Sequence, residues 1–360
     1  MGGLASKDRF NRFATPVAAV LLGLIAGGII MLISGFNPFT AYGAMLQMVF
    51  LNPYYFGETI VSMIPLVLTG LSVAFAFRTG LFNIGVEGQL LVGWLTACAL
   101  GVEFAHLPKV ILIPFCIIGS AVTGGIWGYI PGFLKARFHV HEVITTIMMN
   151  YIALYTTNAI IRRFLYVSGE HTPEVPTSAS LSSPFLSNLT QGSRLNWGFV
   201  VAVIGALLMW FLLWRTTKGF EVRAVGFNPH ASRYAGMNVE RNMSFSFGVS
   251  GAYGGVAGAM IGLGVYHYMT INADFTGLGF NGIAVALLGM NTSLGVVLGA
   301  LLFAVLQTGQ VSMQSMGIPT DLIQIIMSLI IFFVASSYLI EIIGTKLKRG
   351  KKPYDVNGNS

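Results

Sequence analysis

Thr59-Ile60-Val61-Ser62-Met63-Ile64-Pro65-Leu66-Val67-Leu68-Thr69-Gly70-Leu71-Ser72-Val73-Ala74-Phe75-Ala76-Phe77 runs for nineteen positions without a charged side chain. Inside a bilayer the backbone has no water to bond, so such a segment crosses as a helix, and about 20 apolar residues cover the ~30 Å hydrocarbon core. Nine further stretches read the same way: Ala14 to Gly35, Val86 to Gly101, Val110 to Leu134, Val143 to Ile161, Trp197 to Trp214, Met243 to Val265, Gly279 to Met290, Leu294 to Val311 and Leu322 to Ile343. Those starting at Val86 and Gly279 fall short of a full crossing, which predicts tilted or partly unwound helices. The chain is 54% hydrophobic and only 9% charged, with a mean hydropathy of +0.74, whereas a soluble surface needs roughly 25% charged residues. The expected fold is therefore all-α, a polytopic transmembrane bundle of about ten spans forming one membrane domain over residues 1–360.

Basic residues orient such a bundle, because Lys and Arg collect in cytoplasmic loops. With a cytoplasmic N-terminus, the inner segments hold 16 of the 20 basic residues, and Lys109, Arg162, Arg163 and Arg194 fall outside. The prediction is N-in and C-in, with an extracytoplasmic loop at 163–196, a cytoplasmic loop at 215–242 and a basic cytoplasmic tail at 346–360. Trp197 and Trp214 bracket the sixth span as interfacial anchors. The first apolar run lacks a cleavage site and reads as a span. Spans two to five and seven to ten form two four-helix groups offset by an odd number of crossings, which predicts an inverted repeat.

The net charge of +7 is scattered between apolar runs, so it reads as topology and gives no footing for a nucleic acid. Cys98 and Cys116 lie inside spans without ligand spacing, as buried thiols. Glycines at four-residue spacing (Gly23 and Gly27; Gly124, Gly128 and Gly132; Gly251 and Gly255; Gly254, Gly258 and Gly262) predict seams of close helix contact.

Gly80-Leu81-Phe82-Asn83-Ile84-Gly85-Val86-Glu87-Gly88-Gln89 places a carboxylate and two amides among glycines. A charge at membrane depth costs about 2.5–3.5 kcal/mol on insertion scales, so Glu87 needs a partner or water, and Arg78 is the nearest basic candidate. Glu87 either pins a broken helix or serves the substrate pathway and its gating, and Phe82, Asn83, Gln89, Asn150 and Asn281 are candidates for the same pathway. Asn158 and Gln307 are further amides at depth; with Phe82, Tyr151, Tyr155 and Phe280 they suggest a polar and aromatic passage suited to a sugar or nucleoside ring. In the inner loop, Asn228 fits a helix N-cap, Pro229 the first helical position and Gly236 the C′ position, which predicts a short capped helix suited to docking. No phosphate-cradling Gly-x-x-x-x-Gly-Lys-Ser/Thr motif occurs, so this chain is expected to bind no ATP and to be no enzyme.

Thr69 to Phe75, Gly80 to Gln89, Arg223 to Gly236 and Gly279 to Gly289 together resemble bacterial ABC-transporter permeases of the branched-chain amino acid and simple-sugar superfamily, over about Met63 to Ile343. The chain is most similar to their guanosine-type, nucleoside-importing members. The resemblance implies an ATPase with two nucleotide-binding domains that binds ATP and Mg, a second homologous permease subunit, an extracytoplasmic substrate-binding lipoprotein and a place in the bacterial cell membrane. It also implies a coupling role for Arg223, Gly226, Asn228, Pro229, Ala231, Arg233, Tyr234 and Gly236. Many relatives carry Asp where this chain has Asn281, so the resemblance does not extend a charge-dependent role to that position, while leaving the transport function implied. A ribose-type sugar permease and a stand-alone secondary transporter are the alternatives.

Overall fold

The structure, a computed structural model, describes residues 2–165, 167 and 170–336, with side chains from residue 17 onward except those of 334 and 335. The basic tail at 346–360, the end of the tenth span and the side chains of Lys7, Arg9 and Arg12 lie outside the described residues. Among the described residues there are fourteen α-helices and three isolated β-bridges. The helices are α1 Gly2–Ile33, α2 Pro38–Leu51, α3 Pro53–Arg78, α4 Val86–Glu103, α5 Lys109–Phe138, α6 Glu142–Phe164, α7 Pro184–Leu189, α8 Gly198–Arg215, α9 Thr217–Phe227, α10 Pro229–Tyr234, α11 Val239–Ile261, α12 Leu278–Leu288, α13 Ser293–Ser315 and α14 Thr320–Ala335.

Each of the ten apolar stretches carries a helix. Helix α2 was not expected: its 14 residues make about 21 Å of helix, and a length criterion for crossing passes over it. Five helices, α3, α5, α8, α11 with its continuation to Tyr266, and α13, are long and apolar enough to cross a membrane by length and composition. Helix α12 has only 11 residues, as its short apolar run foretold.

The described residues of 1–42 and 314–360 form one compact unit. Here α1 and α14 pack through the first glycine pair: a Cβ on Gly23 would lie 2.5 Å from Ile330 Cγ1, and one on Gly27 would lie 2.6 Å from Ile326 Cγ1. Tyr42 donates its hydroxyl to the Leu24 carbonyl at 2.9 Å.

Residues 43–313 form the second unit. Its centre is α3, buried almost continuously from Gly57 to Ala76, as expected of a helix that is apolar all round. Around it pack α4, α8, α11 and α12. Helix α5 differs: its buried residues are Pro131 and a stripe at four-residue spacing, Leu112, Cys116, Ser120, Gly124, Gly128, Gly132 and Ala136, while Ile118, Val122 and Ile126 on the other face are exposed. The stripe meets α11 so closely that a Cβ on Gly124 would sit 2.5 Å from the Gly251 carbonyl oxygen, and one on Gly128 2.5 Å from that of Phe247. In lipid, where no hydrophobic force draws helices together, such backbone proximity supplies the van der Waals contact that does. Ser72 and Ser250 reinforce the α3–α11 contact, each donating its hydroxyl to the other's carbonyl at 2.6 and 2.7 Å.

Candidate functional site

The break between α3 and α4 is the polar centre of the second unit. Helix α3 ends because Gly80 turns left-handed at φ +73°, and Leu81 N–H returns to the Ala76 carbonyl at 3.2 Å. Asn83, fully buried, then accepts from Gly85 N–H at 2.8 Å and donates to Ser250 Oγ at 2.8 Å and Gln89 Oε1 at 3.3 Å. Asn150 reaches in from α6, accepting from Gly88 N–H at 2.8 Å and donating to the Ile84 carbonyl at 3.0 Å. These amides replace the backbone partners that an unbroken helix would have supplied, which a broken chain in lipid requires.

Glu87, in the first turn of α4, has no exposed surface. Its carboxylate accepts from Thr276 Oγ1 at 2.5 Å and Gly277 N–H at 3.0 Å on one oxygen, and from Gly279 N–H at 2.6 Å on the other. It therefore sits on the positive N-terminal end of α12, whose amides have no intrahelical partners. Gly279 admits it, since a Cβ there would lie 2.5 Å from Glu87 N.

The expected Arg78 partner is a correction. Arg78 donates instead to the carbonyls of Asn291 at 2.8 Å and Met290 at 3.3 Å, at the negative C-terminal end of α12, where a cation is favoured. An 11-residue helix is about 16 Å long, so Glu87 and Arg78 clasp its two ends and do not meet.

The expected polar and aromatic passage is corrected in part. Asn150 is 1% exposed and spends both amide ends on backbone, while Asn158 pairs with Asn272, donating to its carbonyl at 2.7 Å and accepting from its N–H at 3.1 Å. Phe82 packs on Phe77 at 5.0 Å, apart from the other rings. Tyr151, Phe275 and Phe280 do come together edge to face, at 5.0 and 5.7 Å between centroids. Tyr151, Tyr155 and Phe280 are exposed. Asn281, beside Phe280 on α12, is partly exposed. Phe275 carried no spacing signal and went unread.

The inner loop contains two helices where one was expected. Thr216 caps α9 by accepting from Gly219 N–H at 3.0 Å. Asn228 caps α10 by accepting from His230 and Ala231 N–H at 3.0 and 3.1 Å, with Pro229 at its first position. Gly236 follows its end at φ +82°, and Met237 N–H closes on the Ser232 carbonyl at 3.0 Å. The predicted caps thus stand where the sequence places them. Arg233 pairs with Glu240, and Phe227 and Tyr234 are 89% and 95% exposed. Arg223 stacks on Trp214 with its guanidinium carbon 4.1 Å from the ring centroid. Gly226 lies so close to α3 that any Cβ would overlap the Arg78 carbonyl. The Lys218 ammonium and the Asn242 amide hydrogen-bond Glu221 and hold its carboxyl below the usual range.

Where described, the 163–196 segment is strapped to the end of α11. Helix α11 continues as a π-turn over Gly262–Tyr266. Leu181 N–H bonds the Leu263 carbonyl at 2.9 Å and Val175 N–H the His267 carbonyl at 2.7 Å. His267 Nε2 lies 2.8 Å from Ser180 Oγ and 3.1 Å from Ser182 Oγ; burial lowers its pKa, and Glu174 opposes the shift. Glu58 on α3 accepts from Arg194 N–H at 2.8 Å and from its guanidinium at 3.0 and 2.6 Å, a contact that raises the Arg194 pKa. Nothing in the spacing of Glu58 and Arg194, 136 residues apart, announced this pair. Among the described residues no three His, Cys, Asp or Glu side chains come together as a metal site.

Residues 55–335 match the family described as the permease component of branched-chain amino acid transport systems. The chain is 52% identical, over 95% of its length and 98% of the relative's, to the guanosine ABC transporter permease protein NupP of Bacillus subtilis. It is 38% identical, over 95% and 96%, to the nucleoside ABC transporter permease protein NupB of Lactococcus lactis. It is 34% identical, over 90% and 87%, to the glucose ABC transporter permease protein TsgB13 of Haloferax volcanii. With its apolar helices and its broken, internally capped centre, the chain is a multi-pass membrane protein that belongs to the family of permease components of branched-chain amino acid transport systems.

Proposed function

We propose that this chain is the membrane-spanning subunit of an ATP-driven importer in the bacterial cell membrane, moving nucleosides, purine nucleosides such as guanosine foremost, by alternating access. The observation that carries this is the 52% identity, nearly end to end, with a relative named as a guanosine permease. The skewed basic residues support ten spans with both termini cytoplasmic, so that α9 and α10 face the cytoplasm and the 163–196 strap faces out. The partners are an ATPase with two nucleotide-binding domains, which binds the ATP and Mg, a second homologous permease and a substrate-binding lipoprotein that docks on the strap.

In this reading α10 is the coupling helix. Its exposed Tyr234, with Phe227 before it, anchors in the ATPase, while Arg223 seats α9 on Trp214 of α8 and Gly226 seats it on the inner end of α3. Arg78 links that end to the C-terminus of α12, so a push on α10 reaches the helix whose first turn carries Phe280 and Asn281. These two residues, with Tyr151 and Phe275, form a passage wall on which a nucleobase stacks. Asn83, Glu87, Gln89 and Asn150 hold the break that lets α12 move as a unit, the pivot between the two inverted groups of spans.

Uptake of labelled guanosine, inosine and ribose, with and without the gene and with ATP selectively depleted, tests the proposal. The expected result is loss of ATP-dependent nucleoside uptake. Loss confined to ribose gives the sugar reading, which the similarity to a glucose permease favours. Uptake that survives ATP depletion and falls with an uncoupler overturns the ATP-driven mechanism in favour of a secondary carrier.

A further inference from the structure

We propose that an anionic phospholipid of the cytoplasmic leaflet binds between α5 and α11, its phosphate at Arg241 and an acyl chain along the groove; the choice of leaflet rests on the orientation given above. The two helices leave an outward groove of about 490 Å³, floored by Gly125, Gly248 and Ala252 and walled by Ile126, Tyr129 and Phe245. The floor residues are distinct from those that make the tight helix contact, Gly124, Gly128 and Gly251, so their small size serves the groove. Arg241 closes one end, and the same side chain lines a second, open cavity of about 860 Å³ among the inner-loop residues.

Charge decides what fits. Around Arg241, Lys218 is paired with Glu221 at 2.6 Å, and Glu221 is engaged by Asn242 as well. Arg233 is paired with Glu240. Arg215 and Arg223 lie over the rings of Trp210 and Trp214, and Lys218, Arg215, Arg223 and Glu221 all line the second cavity with Arg241. The guanidinium of Arg241 makes no hydrogen bond or close ion pair among the described residues; its charge acts on Glu221 at longer range, whose carboxylate is already bonded to Lys218 and Asn242. The remaining balance of this corner is positive, and it joins an apolar channel. A free phosphate leaves the channel empty and a neutral lipid leaves the cations unmatched; a phospholipid with net negative charge answers both, since a basic side chain at an anionic leaflet is worth about fivefold in affinity.

The test is native mass spectrometry of the intact transporter after exchange into micelles carrying phosphatidylglycerol or phosphatidylcholine, for the wild type, Arg241→Gln and Gly248→Leu. A Cβ at Gly248 meets nothing closer than 3.7 Å, so the leucine fills the groove without striking backbone. Phosphatidylglycerol is expected to be retained over phosphatidylcholine, about fivefold less in Arg241→Gln, and to be displaced in Gly248→Leu, with inorganic phosphate failing to compete. Equal retention of both lipids by the wild type, or unchanged retention in both variants, overturns the proposal. Displacement by inorganic phosphate assigns the site to a free anion, and loss of the ATPase with unchanged lipid assigns the corner to the protein partner; each overturns it. A preparation lacking any ATPase counts against the importer reading alone, because the lipid count still decides this site.

Discussion

Replacing Glu87 by glutamine tests the clasp on α12 with the least change in shape. The carboxylate takes three donors on two oxygens: Thr276 hydroxyl and Gly277 N–H on one, Gly279 N–H on the other. Glutamine keeps one acceptor oxygen, best placed toward Thr276 and Gly277, and turns its NH₂ toward Gly279 N–H. That leaves one buried backbone donor unpaired, a cost of about 1–3 kcal/mol. Alanine leaves all three donors without an acceptor and is expected to cost about 3–5 kcal/mol, since each buried donor left unpaired costs about 1–3 kcal/mol and the helix end relaxes in part. At about 2–4 °C per kcal/mol in a large domain, glutamine lowers the melting temperature by several degrees and alanine by roughly twice as much. Thermal unfolding of the purified transporter in lipid nanodiscs reads both, with uptake measured alongside. A glutamine variant as stable as the wild type would refute the assigned bonds; one that keeps its stability and loses uptake would instead move Glu87 into the substrate pathway.

Asn228→Ala removes two cap bonds from a six-residue helix at about 1 kcal/mol; ATP hydrolysis stimulated by substrate should fall while the melting temperature hardly moves, and an equal fall in both would deny α10 a specific coupling role. Gly124→Val forces a branched side chain against the Gly251 carbonyl, so overpacking of at least about 1–3 kcal/mol should cut the yield of folded protein, and wild-type yield would show that the seam yields. Burial holds the pKa of His267 below its ordinary value, so its stabilising share is present above the unfolded value of about 6.5 and is lost as pH falls through the folded one. The protection factors of the amides at residues 172–182, taken against the intrinsic exchange rate at each pH, should therefore fall on acidification, and His267→Gln should abolish that dependence. Phe227→Ala and Tyr234→Ala should each weaken ATPase co-purification by more than about 1 kcal/mol if these aromatics anchor the contact; unaltered recovery would place the anchor elsewhere.

The helices were legible because apolar length and four-residue glycine spacing are local signals. The caps of α10 were legible for the same reason: Asn228, Pro229 and Gly236 each act on backbone within a few residues. What stayed hidden depends on distant contacts. Arg78 was assigned to Glu87 because it lies nine residues away in sequence, yet the left-handed turn at Gly80 sends the two toward opposite ends of α12. Glu58 and Arg194, or Asn158 and Asn272, meet only through the packing of whole helices, so no spacing rule reaches them. Helix α2 went unread because the criterion was the thickness of a membrane, which fourteen residues do not span. The aromatic cluster was half read: Tyr151 and Phe280 were grouped from the sequence, but their meeting through Phe275 belongs to the fold.

The two-ended hold joins the break between α3 and α4 to both ends of α12. An 11-residue helix is too short to be stable in isolation, and within a bilayer its unpaired end groups need partners. Glu87 supplies the negative partner at its N-terminus and Arg78 the positive one at its C-terminus, and both come from the break between α3 and α4. Glu87 bonds amides that open α12, and Arg78 bonds the turn whose own amides close on the last carbonyls of α12, so in the proposed mechanism the helix shifts with that break without exposing its ends to lipid. Gly226 fixes α9 on the carbonyl of the same Arg78, so a movement of the inner loop arrives at the residue that grips α12. A bulkier residue at 226 is then expected to uncouple ATP hydrolysis from uptake more than it destabilises the fold, because the overlap falls on the inner end of α3 and spares the buried helix seams. Gly226→Ala with normal melting temperature, normal ATPase association and normal uptake would show that the force takes another route.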